Sequence, residues 1–435
     1  MRFTPSIIAA ALCSQFIATA TAEEPVSAIN AIERITVQGD FRQQSVQNLA
    51  GSVAVVAEQD VKRTSAQHLD DVLNQFANVN FTAGASRGRF IQVRGIGERS
   101  EFVDTINPSV GILIDGIEYS GLGISGISDL AQLEVFRGPE ATRFGANALA
   151  GMVNLTTKGP TATAEGKFSA TLADYDSYQL AGQFSDSINQ QLGYSLALEQ
   201  QSSDGFIENA HLNRDDTNDI DEFTGRFKLR YQPFNDLSLQ LIMHLVDQNN
   251  GYDAFSLDRN RTTLSDEPGQ DKQDIAAAML KARYTGWQFA ESVTQFSLLH
   301  ADSDYGYDED WSFQSIHPWA YSTVDQYLRD RQSASVDHRW LAKDGRWVTG
   351  FYASSQQTDL SRIYTDNFSE TVSRFQSELT RQNLAWYGEI QQQLAADVTL
   401  TVGARAERYS DDYQDSNLIL QQGDDWMWGG KLSLD

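Results

Sequence analysis

A G-x-S-x-G motif is one place where the sequence could support covalent chemistry. Gly84, Ser86 and Gly88 match the motif, and a serine held in such a strand–turn–helix elbow is the nucleophile of many hydrolases. That arrangement needs a helix after the turn, and an Asp and a His later in the chain. The residues after this turn, Phe90–Val93, have the apolar pattern of a β-strand instead. A secreted serine hydrolase built on Ser86 is therefore kept only as an alternative.

Two further patterns suggest ligand binding by spacing alone. Gly121, Gly123 and Gly126 match G-x-G-x-x-G, which cradles a dinucleotide only within a strand–helix–strand unit, and no such unit surrounds them. Carboxylates cluster at 302–304 and 308–310. Their hard oxygens could bind calcium; alternatively, the segment is an acidic loop exposed to solvent. The six histidines show no pair with metal-ligand spacing. We therefore predict no resident metal and no cofactor.

Aromatic residues lie in the same acidic stretch. Trp311, Trp319 and Tyr321 fall in a polar segment that reads as a long loop. Exposed rings can stack on sugars or on aromatic groups of a ligand, and they can equally form the aromatic girdle of a membrane protein. Both interpretations remain open from the sequence.

Charge and cysteine content exclude several classes of protein. The chain has 435 residues, and its 33 Lys and Arg against 59 Asp and Glu leave a net charge of −26. A surface this acidic repels phosphate backbones, so no nucleic-acid partner is expected. The single cysteine, Cys13, excludes an intrachain disulfide and any multi-cysteine metal site.

Residues 1–22 have the features of a secretory signal peptide. Arg2 precedes a short apolar stretch at 7–12, and the small residues at 20–22 suit cleavage after Ala22. Residues 23–50 are polar around a small apolar island at 35–37, so we expect a flexible segment.

The next part of the chain, 51–160, has the texture of a small α+β domain. Thr64 is a candidate helix cap, and Leu69, Val72, Leu73 and Phe76 then share one helical face. Short β runs follow, and Asp115-Gly116 between two of them is a strong hairpin signal.

From 161 to 435, period-two alternation dominates. In one example, Leu237, Leu239, Leu241 and Met243 lie on the same face of a candidate strand. Strands of about ten residues, short turns on one side and long polar loops on the other are typical of an outer-membrane β-barrel. A soluble β-sandwich gives the same alternation and remains the alternative. Only 273–281 suggests a helix in this region.

Several strings in the middle of the chain resemble one family. The segments 93–95, 110–116, 133–139 and 143–158 resemble the plug domain of TonB-dependent outer-membrane receptors, and they occur in the family's order. Upstream, the segment 33–39 is similar to the TonB box that couples these receptors to their energy source. Downstream, 386–389 and 403–407 are similar to strand segments of their barrels.

The resemblance implies a mostly β protein, with a small α+β plug domain (51–160) followed by an antiparallel transmembrane β-barrel (161–435). It implies an exported outer-membrane receptor that takes up a scarce ligand when TonB pulls on its box. It implies no catalytic step. A ferric siderophore is the expected ligand, with haem, cobalamin and oligosaccharide as rivals, and outer-membrane lipids surround the barrel. The box segment offers backbone groups for strand addition to TonB. The expected contacts are Glu33, Ile35, Thr36, Val37 and Gln38.

The resemblance also implies roles for individual residues. Arg94 and Arg137 correspond to plug arginines that pair with barrel-wall carboxylates, for which Glu389 and Glu407 are candidates; alternatively, both arginines stabilise the plug itself. Ligand contact is expected at the plug apex and in the outer loops. The residues expected to make it are Ser86, Arg87, Arg89, Trp311, Trp319 and Tyr321.

Chain length predicts an incomplete barrel. At roughly 22 residues per strand and connection, the residues after 160 suffice for about a dozen strands, whereas plugged transporters have about 22. The last residues, 430–435, also read as a strand in mid-course without a terminal aromatic. We therefore expect a truncated product or a fragment of a longer receptor; a non-transporting remnant that folds only as the plug is the alternative.

Overall fold

The computed structural model describes residues 36–42, 44–49, 51–64, 66, 68–82, 85–98, 109–139, 148–316, 321–396 and 398–434. The predicted signal peptide, Glu33, Ile35 and Trp319 lie outside these residues. Thr36–Asp435 forms a single compact unit. Within the described ranges, no helix has the length and apolar character that crossing a membrane requires.

The first domain is a five-stranded sheet with two short helices. Its strand order is β1-β6-β7-β4-β5, and a separate hairpin pairs β2 with β3. The core contains Leu133, Val135 and Val153, each wholly inaccessible to solvent. The elements are β1 (Val53–Ala57), α1 (Glu58–Thr64), α2 (Leu69–Leu73), β2 (Val79–Thr82), β3 (Phe90–Val93), β4 (Val110–Ile114), β5 (Ile117–Glu118), β6 (Leu130–Arg137) and β7 (Gly151–Thr157).

The hairpin between β4 and β5 forms where the sequence predicts it. Asp115 and Gly116 both have positive φ, 53° and 91°, as a two-residue turn of the primed type requires. The helix boundary differs from the prediction. Thr64 ends α1, whereas α2 begins after His68, which forms a capping box with Asp71. The apolar face is as predicted, since Leu69, Val72 and Leu73 are buried.

The second domain is one antiparallel sheet of twelve strands that follow one another in chain order. Its strands are β8 (Glu165–Ala173), β9 (Ser177–Ser187), β10 (Leu192–Ser203), β12 (Ile220–Phe234), β13 (Leu237–Tyr252), β15 (Gly269–Tyr284), β16 (Ala290–Asp308), β17 (Thr323–Ala342), β18 (Trp347–Asp366), β19 (Thr371–Ala395), β20 (Val398–Asp415) and β21 (Leu420–Leu434). Two short strands in the long loops, β11 (Glu208–Asn209) and β14 (Thr262–Thr263), pair in parallel. Among the described residues, β8 and β21 do not pair with each other, so the sheet is open.

The segment 273–281 is a strand and not the helix that its pattern suggests. It lies inside β15, where Ile275, Ala277 and Met279 are buried and alternate with outward residues. Tertiary packing decides the outcome, because these three side chains join the core of the plug.

Long loops and short turns lie at opposite rims of the sheet. The long connections are 204–219, 253–268 and 309–322, whereas 235–236, 285–289 and 343–346 are short. This asymmetry is the pattern of outer-membrane barrels, whose long loops face the outside of the cell. We call the two edges the long-loop rim and the short-turn rim.

The outward face of the sheet carries an apolar band. Leu245, Leu298 and Trp386 are 53%, 48% and 58% exposed on three different strands, which suits contact with lipid and not with water. Carboxylates mark the end of this band towards the long-loop rim. They face one another across six neighbouring strands, in the order Asp247, Asp274, Asp302, Asp330, Asp359 and Glu378.

The plug packs on the inward face of the sheet. Ile112 and Ile117 of the plug share one apolar cluster with Ile242, Ile275 and Met279 of the barrel wall. The alternation in the strands therefore has a lipid-facing side and a plug-facing side. A soluble sandwich would instead bury one sheet against a second sheet.

Candidate functional site

The loop 85–89 at the plug apex is fastened to the barrel wall. Asp271 on β15 accepts hydrogen bonds from the Ser86 backbone N–H at 2.8 Å and from the Ser86 hydroxyl at 2.5 Å, and it pairs with Arg89. Nε of Arg87 lies 2.6 Å from Oε1 of Glu222 on β12. Both arginines are at least 95% buried.

The apex residues predicted to contact ligand make contacts with the wall in this structure, and their ligand role stays a prediction. Ser86, Arg87 and Arg89 hold the plug to the wall, because charges this deeply buried are stable only when paired. The sequence reveals a polar loop at this position, but the partners lie more than a hundred residues away. Glu222 directly precedes the alternating run that begins at Phe223, so an acid at an inward strand position is a signal that could have revealed it. Asp271 lies beside the segment whose pattern suggests a helix, and no such signal marks it.

The arginines predicted to pair with the wall do not do so within the described residues. Arg94 is exposed at the end of β3 with φ of 55°. Nη1 of Arg137 donates to the Ala77 carbonyl at 3.4 Å, inside the plug. The alternative reading, in which these arginines stabilise the plug itself, agrees with this placement. Of their candidate partners, Glu389 pairs with Arg42 and Glu407 accepts from Arg405.

A second anchor forms at the tip of the β4–β5 hairpin. Asp115 accepts a hydrogen bond from Nζ of Lys228 at 2.8 Å and lies 3.2 Å from Nε2 of His244. The Tyr119 hydroxyl lies 3.0 Å from the other ring nitrogen of that histidine. Burial alone would raise the pKa of Asp115, but the Lys228 and His244 contacts outweigh it and hold that pKa well below its ordinary value.

The G-x-G-x-x-G segment belongs to the same interface. The Gly123 N–H donates to Gln273 at 3.0 Å, and Gly126 has φ of 67° with its backbone against Thr224. Arg226 donates to the Gly126 carbonyl at 2.8 Å and pairs with Asp129. These glycines therefore serve close approach to the wall, and no strand–helix–strand unit surrounds them.

The described part of the predicted TonB box is folded against the plug. Val37 is wholly buried, and its N–H donates to the Gln44 carbonyl at 2.9 Å. The Gln38 and Gly39 N–H groups donate to the Glu134 carboxylate. Part of the segment predicted to be flexible therefore lies against the plug in this structure, and its flexibility stays a prediction.

The residues just after the box insert between the plug and the wall. The Phe41 ring stacks on Tyr387 with centroids 5.2 Å apart. Arg42 pairs with Glu389 and donates to the Gly345 carbonyl at 2.7 Å. The pair is almost completely buried. Sequence analysis missed this contact, since nothing in the local pattern distinguishes Phe41 from a linker residue.

An aromatic cluster lies towards the long-loop rim, above the plug apex. Tyr252, Tyr305 and Tyr327 are buried together with Ala85 of the apex loop. Trp311 stacks on Phe255 with centroids 4.9 Å apart and remains 38% exposed. Tyr321 is equally exposed and donates to Glu309 at 2.7 Å. Two of the predicted loop contacts thus lie on the outer side, and their ligand role stays a prediction.

His68 gives the plug a testable pH dependence. Burial, with the nearby positive charge of Arg87, lowers the pKa of His68 to about 3. As the pH falls below about 6.5, His68 binds a proton in the unfolded chain but stays neutral in the folded plug. We expect stability to fall by up to about 1.4 kcal/mol per pH unit between these two values. Chemical denaturation at a series of pH values from 7 to 4 measures this change in the free energy of unfolding.

The matched variants for this measurement are His68→Asn and His211→Asn. Asn suits the helix-cap position, so His68→Asn should flatten the acid dependence relative to the unchanged protein. His211 is exposed in a loop, and its replacement should leave the dependence unaltered. Equal slopes in the unchanged protein and His68→Asn would contradict the prediction.

A family model and curated relatives each match part of the chain. The model for the TonB-dependent Receptor Plug Domain matches residues 45–152. The pesticin receptor of Yersinia pestis is 29% identical over 195 residues, which are 44% of this chain and 28% of the relative. The vitamin B12 transporter BtuB of Vibrio cholerae is 25% identical over 205 residues, which are 44% of this chain and 32% of the relative.

Solved structures share the fold of both domains. The ferric yersiniabactin uptake receptor FyuA from Yersinia pestis matches with a TM-score of 0.74 at 19% identity, covering 88% of this chain and 61% of that chain. FpvA of P. aeruginosa, solved with bound pyoverdines, matches with a TM-score of 0.70 at 16% identity, covering 91% of this chain and 56% of that chain. The chain therefore spans less than two thirds of the length of these relatives.

These findings agree on one family through independent features. The family model recognises the plug, the relatives extend the match beyond it, and the solved receptors have the same plug against the same kind of antiparallel sheet. Residues 45–152 therefore match the plug domain of TonB-dependent receptors, and the chain as a whole has the fold of solved receptors of that family.

Proposed function

We propose that the protein is an outer-membrane receptor that binds a scarce ligand at its long-loop rim and releases it inwards when TonB pulls on residues 33–38. One observation carries this proposal. The box segment, the plug and the apex loop form a continuous series of contacts, from Glu134 at the box to Asp271 beneath the outer aromatic cluster. Force applied at one end can therefore reach the other.

Within this proposal the chain is exported through cleavage after Ala22 and carries out no catalysis. The Ser86 hydroxyl donates to Asp271, while the amides of Gln248 and Asn250 donate to its oxygen at 3.3 and 2.8 Å. A nucleophile needs a neighbouring base that can take its proton, and a paired carboxylate in a salt bridge with Arg89 suits that role poorly. The hydrolase alternative has no support from this geometry.

A ferric siderophore is the proposed ligand. FyuA is a ferric yersiniabactin uptake receptor, and FpvA was solved with bound pyoverdines. The aromatic cluster at the long-loop rim suits a ligand with aromatic groups. Cobalamin is the second candidate, because BtuB is among the sequence relatives.

The remnant alternative, in which only the plug folds, has a physical objection. Asp115, Asp129, Arg87 and Arg89 are all paired with charged groups of the wall. Without the wall, these charges and the apolar surface around Ile112 would be exposed together.

A binding panel tests the proposal. The purified receptor is titrated with ferric hydroxamate, catecholate and phenolate siderophores, with cobalamin and with haem, and tryptophan fluorescence is followed. We expect saturable quenching by one ferric siderophore class, and its loss in Trp311→Ala, with Trp347→Phe at the short-turn rim as control. Saturable quenching by cobalamin alone would identify cobalamin, and not a siderophore, as the ligand. Absence of saturable quenching by every compound would overturn the proposal.

A further inference from the structure

Between the plug hairpin and the wall strands β16–β19 lies a polar crevice that the proposed function does not itself assign. We infer that this crevice is the route by which an anionic ligand crosses, and that Phe41 closes its lower end, towards the short-turn rim. The inference rests on the proposed function and adds to it a path, a charge preference and a gate.

The crevice consists of three adjoining cavities of about 100, 30 and 120 Å³. The upper and middle cavities share Gln356 and Arg381, and the middle and lower cavities share Ser335 and Tyr352. Glu118 on β5 borders all three. One edge of the plug hairpin thus faces a continuous line of small voids from the apex to the box segment.

The lining of the crevice is polar, and its middle part is made of small side chains. Ser297, Ser333, Ser335 and Ser354 border the middle cavity. Short hydroxyl side chains offer hydrogen bonds without blocking the path, and they allow the hairpin to move past the wall with few interlocking contacts. The opposite side of the plug differs, because Asp115 and Asp129 are bound there to Lys228 and Arg226.

Arginines are concentrated along the crevice. Six of them border the three cavities, against Glu98, Glu118 and Asp337, although Arg89 and Arg405 are already paired with Asp271 and Glu407. Arg331 is 92% buried; it donates to the Ser120 carbonyl of the plug and to Gln356 at 3.0 Å, and its Nε has no acceptor among the residues that the structure describes. A guanidinium N–H that is left in this state can bind an anion. The arginines are Arg89, Arg329, Arg331, Arg339, Arg381 and Arg405.

Phe41 occupies the lower end. It borders the lower cavity, stacks on Tyr387 and lies 5.3 Å beneath the guanidinium of Arg339. It stands only three positions after Gln38 of the predicted box, so tension on the box would withdraw this ring before the plug sheet is disturbed. Withdrawal of Phe41 would therefore open the lower end of the crevice without unfolding of the plug.

Thiol labelling of the receptor tests the gate and the charge preference together. Ser335→Cys is made in a Cys13→Ser background, which leaves one thiol, and the purified receptor reacts with the anionic reagent MTS-ethylsulfonate. We expect Phe41→Ala to raise the labelling rate about tenfold, since the stacked ring is lost. For the cationic analogue MTSET, the rise in labelling rate on Phe41→Ala should be about tenfold smaller than for the anionic reagent. The arginines that line the crevice attract anions and repel cations. Arg339→Gln should narrow that difference.

Ser195→Cys is the control, since this residue also faces the plug but lies on β10, away from the crevice, with its hydroxyl 3.5 Å from the Lys158 carbonyl. Its rate should change less than about twofold on Phe41→Ala. Equal increases in labelling rate at both positions would indicate that Phe41→Ala loosens the whole plug. No increase at Ser335→Cys would show that Phe41 does not close the crevice. Either result overturns the inference. The assay needs neither TonB nor uptake, so it separates failure of the crevice from failure of the proposed function.

Discussion

Val37→Pro is expected to abolish energised uptake while leaving ligand binding and the amount of receptor in the membrane unchanged. Proline fixes φ and removes the backbone N–H, and a strand added to the edge of a partner's sheet needs that N–H. Val37 is also wholly buried, and its N–H is already used for the Gln44 carbonyl. We therefore expect a loss of uptake of about a hundredfold or more, measured with a radioactive ferric siderophore in iron-starved cells.

Val37→Ala is the matched control for this experiment. It shortens the side chain but keeps the backbone donor, so most of the uptake should remain. Binding of the TonB periplasmic domain to the purified variants provides a second readout. Uptake by Val37→Pro at more than half of the original rate would show that these residues are not the coupling segment.

Asp271→Asn is expected to release the plug apex from the wall. The carboxylate satisfies the Ser86 N–H, the Ser86 hydroxyl, Arg89 and the Gln248 amide, and Asp271 has no solvent exposure. Removing one partner of a buried pair leaves the other charge uncompensated, at a cost of about 3–5 kcal/mol. Limited proteolysis at increasing denaturant should show this loss, because the plug should be cut at a lower denaturant concentration than in the unchanged protein.

Asp274→Asn on the same strand provides the comparison. That side chain faces outwards in the acidic row, and its replacement should alter stability by less than about 0.5 kcal/mol. A similar small effect at Asp271 would indicate that the plug is held mainly by the apolar cluster around Ile112 and Met279.

The general architecture could be predicted from the sequence because it rests on local patterns. The Asp115-Gly116 turn, the alternation along β13 and the apolar face of α2 each depend on residues close together in the chain. Residues 273–281 were the exception. Ala276, Ala277 and Ala278 weaken the alternation there, and burial of the neighbouring Ile275 and Met279 against the plug decides for a strand.

Residue partners across the interface could not be predicted in the same way. Arg87 and Arg94 are both plug arginines in polar surroundings, yet one is buried against Glu222 and the other is exposed. The difference depends on which part of the plug faces the wall, which no local pattern encodes. Phe41 is similar, because its burial requires Tyr387 from a strand far along the chain.

The contacts suggest an order of events within the proposed function. The box segment is held by Glu134, whose pKa is raised chiefly by burial, and the residues after it are held by the stacking of Phe41 and by one ion pair, Arg42–Glu389. These contacts are few compared with the ion pairs at Asp271, Asp115 and Asp129. A pull at the box would therefore free the lower end first and strain the apex only afterwards.

The central claim is that TonB drives ligand through this receptor, and uptake in paired strains tests it most directly. The receptor is expressed in isogenic cells with and without TonB, and accumulation of the ferric siderophore chosen by the binding panel is measured, with surface binding determined in parallel. We predict equal surface binding in both strains and uptake only where TonB is present. Equal uptake in the strain that lacks TonB would contradict the account.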